Sequence, residues 1–134
     1  MKYMRDTNIC IYLIKKKNPR VLSKFNTYAV GEIAISSITV AELQFGIQKS
    51  QFSSQNQRAL EQFLVPLASV SFDDRATSVY GKIRATLERQ GIAIGSLDML
   101  IAAHAISLNA TLITNNVKEF SRIEGLKLAN WASD

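Results

Sequence analysis

SLDMLIAAHAISLNATLIT, residues 96–114, decides how the rest of the chain is read. Leu97, Met99, Leu100, Ile101, Ala102, Ala103, Ala105, Ile106 and Leu108 leave residues 97–108 apolar on nearly every side. A helix with no polar face is a buried helix. Ser96 stands where an N-cap belongs. Residues 111–114, Thr-Leu-Ile-Thr, then read as a short strand. A buried helix feeding a strand is a unit of layered α/β architecture.

The pattern extends outward from there. Upstream, Asp73 and Asp74 open a helix that runs to Gln90 and closes on Gly91. Residues 69–72 are strand-like. Residues 53–64 are helical, with Leu60, Phe63 and Leu64 on one face and Pro66 past the end. Residues 39–49 are a helix in which Thr39 and Glu42 have capping-box spacing. Residues 33–36 form a strand, and residues 21–30 a weaker helix between Pro19 and Gly31. At the start, residues 3–6 form a strand and residues 9–16 a helix with lysines in its last turn, where they suit the dipole. Downstream, residues 117–122 form a helical turn and residues 126–128 an edge strand, with Trp131 packing the tail. Strands separated by helices imply a parallel sheet covered on both faces. Ligands of such folds bind outside the carboxyl ends of the strands.

Composition narrows the chemistry. The 134 residues fit one domain over 1–134, and 47% hydrophobic residues suffice for a core. One Cys and one His exclude an internal disulfide and any Cys-built or multi-His metal site within the chain. A net charge of +5 favours an acidic partner such as nucleic acid. No apolar run approaches the roughly 18 residues of a membrane span. Asp6 and Asn8 interrupt the apolar start and no small-residue cleavage site follows, so a cytoplasmic protein is expected.

Three acids fall at expected strand ends. Asp6 follows the first strand, Glu42 lies in the first turn after the second, and Asp98 opens the buried helix. Each also has a structural reading: Asp6 as an N-cap, Glu42 as half of the capping box, Asp98 as a complement to its helix dipole. Asp98 strains that reading, because a carboxylate on a buried helix is costly unless a positive group meets it. Mg²⁺ or Mn²⁺, hard cations that take carboxylate and water oxygens, would do so. Such an ion suits phosphodiester cleavage by activated water.

Four segments then resemble one family. Residues 4–9 (MRDTNI), 35–43 (ISSITVAEL), 98–105 (DMLIAAHA) and 112–120 (LITNNVKEF) are similar to the motif blocks of PIN-domain ribonucleases, above all the VapC-type toxins of bacterial toxin–antitoxin pairs. The similarity spans about residues 2–131. It implies an α/β/α sandwich around a parallel sheet of four or five strands. It also implies a Mg²⁺- or Mn²⁺-dependent endoribonuclease that cuts tRNA or rRNA and blocks translation. The expected assembly is a homodimer neutralised by a VapB-like antitoxin whose C-terminal tail enters the active-site groove. Operator DNA would be bound only through that complex. Residue by residue, Asp6, Glu42 and Asp98 become the metal-binding catalytic acids, with Thr7, Asn8 and Thr39 as polar neighbours that orient carboxylates or cap helices.

Two positions depart from the family pattern. Asn116 stands where many PIN domains carry an acid, and Glu119 is either the replacement carboxylate or an exposed helix-start residue. Arg5 stands where similar sequences have an apolar residue, and on a strand it should point away from Asp6. These departures motivate the alternative of a degenerate PIN-like module that binds RNA or a partner without cutting. A phosphatase or DNA nuclease on a similar sheet is a further rival. His104 reads as a core or interface histidine and Cys10 as a small buried hydrophobe. Leu43, Phe45 and Ile47 belong to the core or to a dimer and antitoxin surface. Arg75, Lys82, Arg84 and Arg89 share one helix, either as a solvated face or as an RNA phosphate track, with Arg84 and Arg89 the chief contacts.

Overall fold

The computed structural model describes residues 2–16 and 31–131. Its strands are β1 (Tyr3–Arg5), β2 (Ile33–Ser36), β3 (Ala68–Val70), β4 (Thr111–Ile113) and β5 (Lys127–Ala129). They form one sheet in the order β3-β2-β1-β4-β5, and every neighbouring pair is parallel. The helices are α1 (Thr7–Lys16), α2 (Ser37–Lys49), α3 (Ser53–Leu64), α4 (Asp74–Arg89), α5 (Ser96–Ser107) and α6 (Val117–Phe120). The helix expected over residues 21–30 lies outside the described residues.

The register explains the two layers. Met4 is level with Ala34 and Leu112, and Arg5 with Ile35 and Ile113. Alternation along a strand sends these two rows to opposite faces. Met4, Ala34 and Leu112 join a core with Leu87 of α4, Ile101 of α5 and Phe120 of α6. On the other face Ile33 and Ile113 pack with Ile9 and Leu13 of α1. Beside them, Ile35 and Cys10 pack with Leu43, Ile47 and Leu60 of α2 and α3. All four residues of β2 are buried, as a central strand with two covered faces requires.

Several boundaries differ from the sequence reading, for identifiable reasons. Helix α1 starts at Thr7 because Asp6 caps it, its Oδ1 accepting the Ile9 N–H at 2.7 Å. Helix α2 starts at Ser37 with no loop after β2. Ser36 is its N-cap, accepting from the Ile38 N–H at 3.1 Å, so Thr39 lies inside the helix and the Thr39–Glu42 capping box does not form. Helix α5 is capped by Gly95, and Ser96 is its first helical residue rather than its cap. Strand β3 covers Ala68–Val70, earlier than expected; the Phe72 N–H turns away to the Ser37 hydroxyl, at 3.0 Å. Helix α4 ends as expected. Gly91 takes φ +70°, and the N–H groups of Gly91 and Ile92 bond the carbonyls of Glu88 and Leu87, a Schellman closure. Strand β5 is an edge, and Trp131 packs edge-to-face on Tyr3 with ring centroids 5.0 Å apart. Among the described residues no helix is long and apolar enough to cross a membrane.

Candidate active site

The parallel sheet brings the ends of β1, β2 and β4 together with the first turns of α1 and α5 and the first two turns of α2, where Glu42 lies in the second turn rather than the first. Asp6 is 1% exposed. Its Oδ1 caps α1, and its Oδ2 accepts a 2.5 Å hydrogen bond from the Thr114 hydroxyl, just beyond β4. Thr114 in turn accepts from the Asn116 N–H at 2.9 Å. Burial raises the Asp6 carboxyl above the usual carboxylate range. Thr114 and the Ile9 N–H pull it back, while the charge of Glu42 pushes it further up.

Glu42 faces α1. Its Oε1 accepts from the Thr7 hydroxyl at 2.6 Å, and Thr7 Oγ1 also lies 3.1 Å from Thr39 Oγ1. Thr7 has one proton, so when it serves Glu42 the Thr39 hydroxyl donates to Thr7. The structure therefore gathers Thr7 and Thr39 at Glu42. Asn8 is exposed in the same turn of α1, and none of these bonds runs to it.

Asp98 and Glu119 form the second half of the site. The Asp98 carboxyl is pushed up to about 6, first by burial and then by Glu119, with which it shares a hydrogen bond. The charges of Asp6 and Glu42 add to the rise, so Asp98 meets the charge of all three other acids. Glu119 is held from two sides: Asn116 Nδ2 donates to its Oε2 at 2.8 Å and the Gly95 N–H to its Oε1 at 3.4 Å. The neutral Asn116 thus orients Glu119, and Glu119 is the acid beside Asp98.

Among the described residues no group of three His, Cys, Asp or Glu side chains is arranged to hold an ion as they stand. The donor chemistry nevertheless fits a hard divalent cation. All four groups are carboxylates, and the raised Asp98 carboxyl registers negative charge without a matching positive one.

The PIN-domain family model matches residues 3–126 of this chain. The chain belongs to the PIN-domain family. It is 50% identical over 137 residues to Ribonuclease VapC2 of Rickettsia felis, an alignment covering 98% of each protein. It is 41% identical over 132 residues to the tRNA(fMet)-specific endonuclease VapC of Shigella flexneri, covering 98% of this chain and 99% of that one. The crystal structure of VapBC2 from Rickettsia felis bound to a promoter DNA fragment superposes with a TM-score of 0.89 at 48% identity, covering 98% and 99%. The resemblance drawn from the four segments is therefore sound, and the sheet has five strands.

In this PIN domain Thr114 is the site residue that sequence reading missed. A hydroxyl just past the strand neighbouring β1 was the available signal, and it becomes legible only once β1 and β4 are known to pair. Arg5 does lie on the face away from Asp6. It is 7% exposed, with its guanidinium carbon 5.2 Å from the Phe63 ring centre. Burial lowers its pKa to about 10. Cys10 is fully buried, its thiol pushed up to about 12, chiefly by desolvation. Arg84 is exposed but engaged, donating to Glu88 at 3.0 Å and to the Tyr80 hydroxyl at 2.8 Å. Arg89 lies 3.5 Å from the Thr86 hydroxyl. Leu43 and Ile47 are core, whereas Phe45 is 64% exposed.

Proposed function

We propose that this PIN domain, spanning residues 1–134, is a VapC-type endoribonuclease toxin that cuts structured RNA, with tRNA as the substrate class. The observation that carries the reading is the convergence of Asp6, Glu42 and Glu119 on the half-buried Asp98 at the carboxyl edge of the sheet. The names and high identity of the curated relatives support it.

Asp6, Glu42 and Asp98 would hold Mg²⁺ or Mn²⁺, with Glu119 completing the acidic wall and Asn116 holding Glu119 in place. A divalent cation there supplies positive charge to the phosphate and makes water acidic enough to attack phosphorus at neutral pH. The chain's own residues set the rest. Thr114 and the Ile9 N–H, one on each oxygen, fix Asp6 in one orientation. Thr7 restrains Glu42. The first turn of α5 places its N–H dipoles beside Asp98, and the Gly95 N–H at its start bonds Glu119. Hydrolysis of this kind leaves a 5′-phosphate and a 3′-hydroxyl. Translation is blocked by loss of the tRNA.

A VapB-like antitoxin would neutralise a homodimer of this chain and carry it to operator DNA. The VapBC2 complex of Rickettsia felis, crystallised on a fragment of promoter DNA, supports that partner. So does an apolar groove of about 350 Å³ between α1, α2 and α3, lined by Ile11, Leu43, Ile47 and Leu60 with Glu42 at its edge. The test is incubation with tRNA in Mn²⁺, with and without chelator. Cleavage that stops in chelator and in the Asp98→Asn variant is the expected result. Cleavage that survives both overturns the metal reading, and RNA binding with no cleavage in any metal points to the binding module.

A further inference from the structure

A second polar junction lies in the interior, apart from the acids. His104 on α5 is 1% exposed and Ser36 is fully buried. His104 Nδ1 lies 2.7 Å from Ser36 Oγ, and the same Oγ accepts the Ile38 N–H as the N-cap of α2. Ser36 has one proton to give, and Nδ1 is positioned to accept it. That assignment leaves the ring neutral with its proton on Nε2. Nε2 makes no hydrogen bond of ordinary geometry, but the Ser71 carbonyl acts on the ring. A carbonyl can only accept, so its presence agrees with a protonated Nε2. Asp73 is the charged group that acts on the ring, and Phe72 packs against it edge-to-face at 5.4 Å. The Phe72 N–H also holds Ser37, the first residue of α2.

The junction therefore ties the helix that carries Asp98 to the helix that carries Thr39 and Glu42. An apolar side chain would fill this space without desolvating an imidazole. What the imidazole adds is direction: a short buried hydrogen bond permits one relative placement of two elements, whereas apolar contact permits several. We propose that His104 is a positioning residue which, through Ser36, sets the first turn of α2 and hence Glu42 against Asp98. The proposal rests on these acids being the catalytic set.

Four variants test it: Ser36→Gly, which keeps a tolerated N-cap residue, His104→Leu, His104→Asn and the double Ser36→Gly/His104→Leu. Groups that orient ligating side chains are worth about 10–100-fold in activity. Each of Ser36→Gly and His104→Leu should thus lower kcat on tRNA about tenfold with KM changed less than about twofold. The double variant should be no worse than the weaker single, because both remove one interaction. His104→Asn, whose Oδ1 reaches the place of Nδ1, should recover most of kcat. Nitrogen NMR of the wild-type ring should show the Nε2–H tautomer, and Ser36→Gly should shift the Nδ1 resonance. Wild-type kcat in His104→Leu overturns the proposal, as does an Nδ1–H ring. So does a loss that follows melting temperature alone and is not recovered in His104→Asn. If Asp98→Asn keeps its activity, the catalytic reading fails instead, and the NMR result still reports whether the junction exists.

Discussion

Asp6 and Asp98 are the same residue at the start of two helices on one sheet edge, yet their surroundings differ sharply. Asp6 is buried, caps its helix and is bonded by Thr114 across the strand pair. Asp98 is half-buried, and what it meets first is another acid, Glu119. One carboxylate is held by donors that the fold supplies. The other is raised first by burial and then by Glu119, with no donor among the described residues offsetting either. The fold therefore offsets part of the burial of Asp6 with donors, and leaves Asp98 with no such offset. That asymmetry is what a site awaiting a cation and a phosphate should show.

The largest expected effect is on cleavage. Asp6→Asn and Asp98→Asn should each cut kcat on tRNA by about three orders of magnitude, the worth of several kcal/mol of charge stabilisation. Their stabilities should part company. Asp6→Asn weakens a buried, charge-assisted bond and should lower the melting temperature of the metal-free protein. Asp98→Asn removes repulsion and should raise it. Equal shifts in calorimetry would break the comparison.

Thr114→Val comes next. It removes the hydroxyl from Asp6 while keeping the shape, and a hydrogen bond to a charged buried group is worth about 2 kcal/mol. The Asp6 carboxyl should rise further, so the acid limb of the kcat/KM profile moves to higher pH. An unmoved limb would mean that Thr114 does not hold Asp6.

A pH titration of the metal-free protein reads the other half directly. The Asp98 carboxyl is raised to about 6 against an ordinary 3.8. Between those values the folded chain holds the proton more tightly than the unfolded one. Stability therefore falls as pH climbs through that window and levels off above it. Mg²⁺ should bind weakly below about pH 6, where Asp98 keeps its proton, and should restore stability above it. A melting temperature flat from pH 4 to 7, with and without Mg²⁺, would show that the loose half is not loose.

The same contrast shows what sequence can carry. Periodicity and turn residues place the strands and helices to within a few residues, because burial on one face or two is written locally. The helix at residues 96–107 is legible because almost nothing in it is polar. Asp6 and Asp98 are legible because each lies within a turn of a strand or helix start; Glu42, expected in a first turn, lies in the second turn of α2 because that helix starts at Ser37. Thr114 is not, since its bond to Asp6 spans 108 residues and exists only through the β1–β4 pairing. The capping-box reading of Thr39 and Glu42 fails for a related reason. Ser36 already occupies the cap, and Glu42 turns to Thr7, a partner 35 residues away. The Ser36–His104 contact, 68 residues apart, lies equally beyond local pattern.

The smallest effect concerns Arg5, a flaw inside the better-built half. It lies one residue before Asp6, on the opposite face, 7% exposed and stacked on Phe63. Its pKa of about 10 instead of 12.5 records a desolvation cost of about 3 kcal/mol, which applies at every pH where the guanidinium is charged in both states. The stack on Phe63 returns about 1 kcal/mol. Leucine at this position loses the stack and fits the apolar row of Ile33, Ile113 and Leu13 on that face. Arg5→Leu should therefore stabilise the fold, raising the melting temperature at pH 7 by a few degrees. Above pH 10 the advantage should shrink, because Arg5 then sheds its proton more readily in the folded chain than in the unfolded one. A melting temperature at pH 7 that is unchanged or lower would mean that the arginine contributes more to this layer than burial costs it.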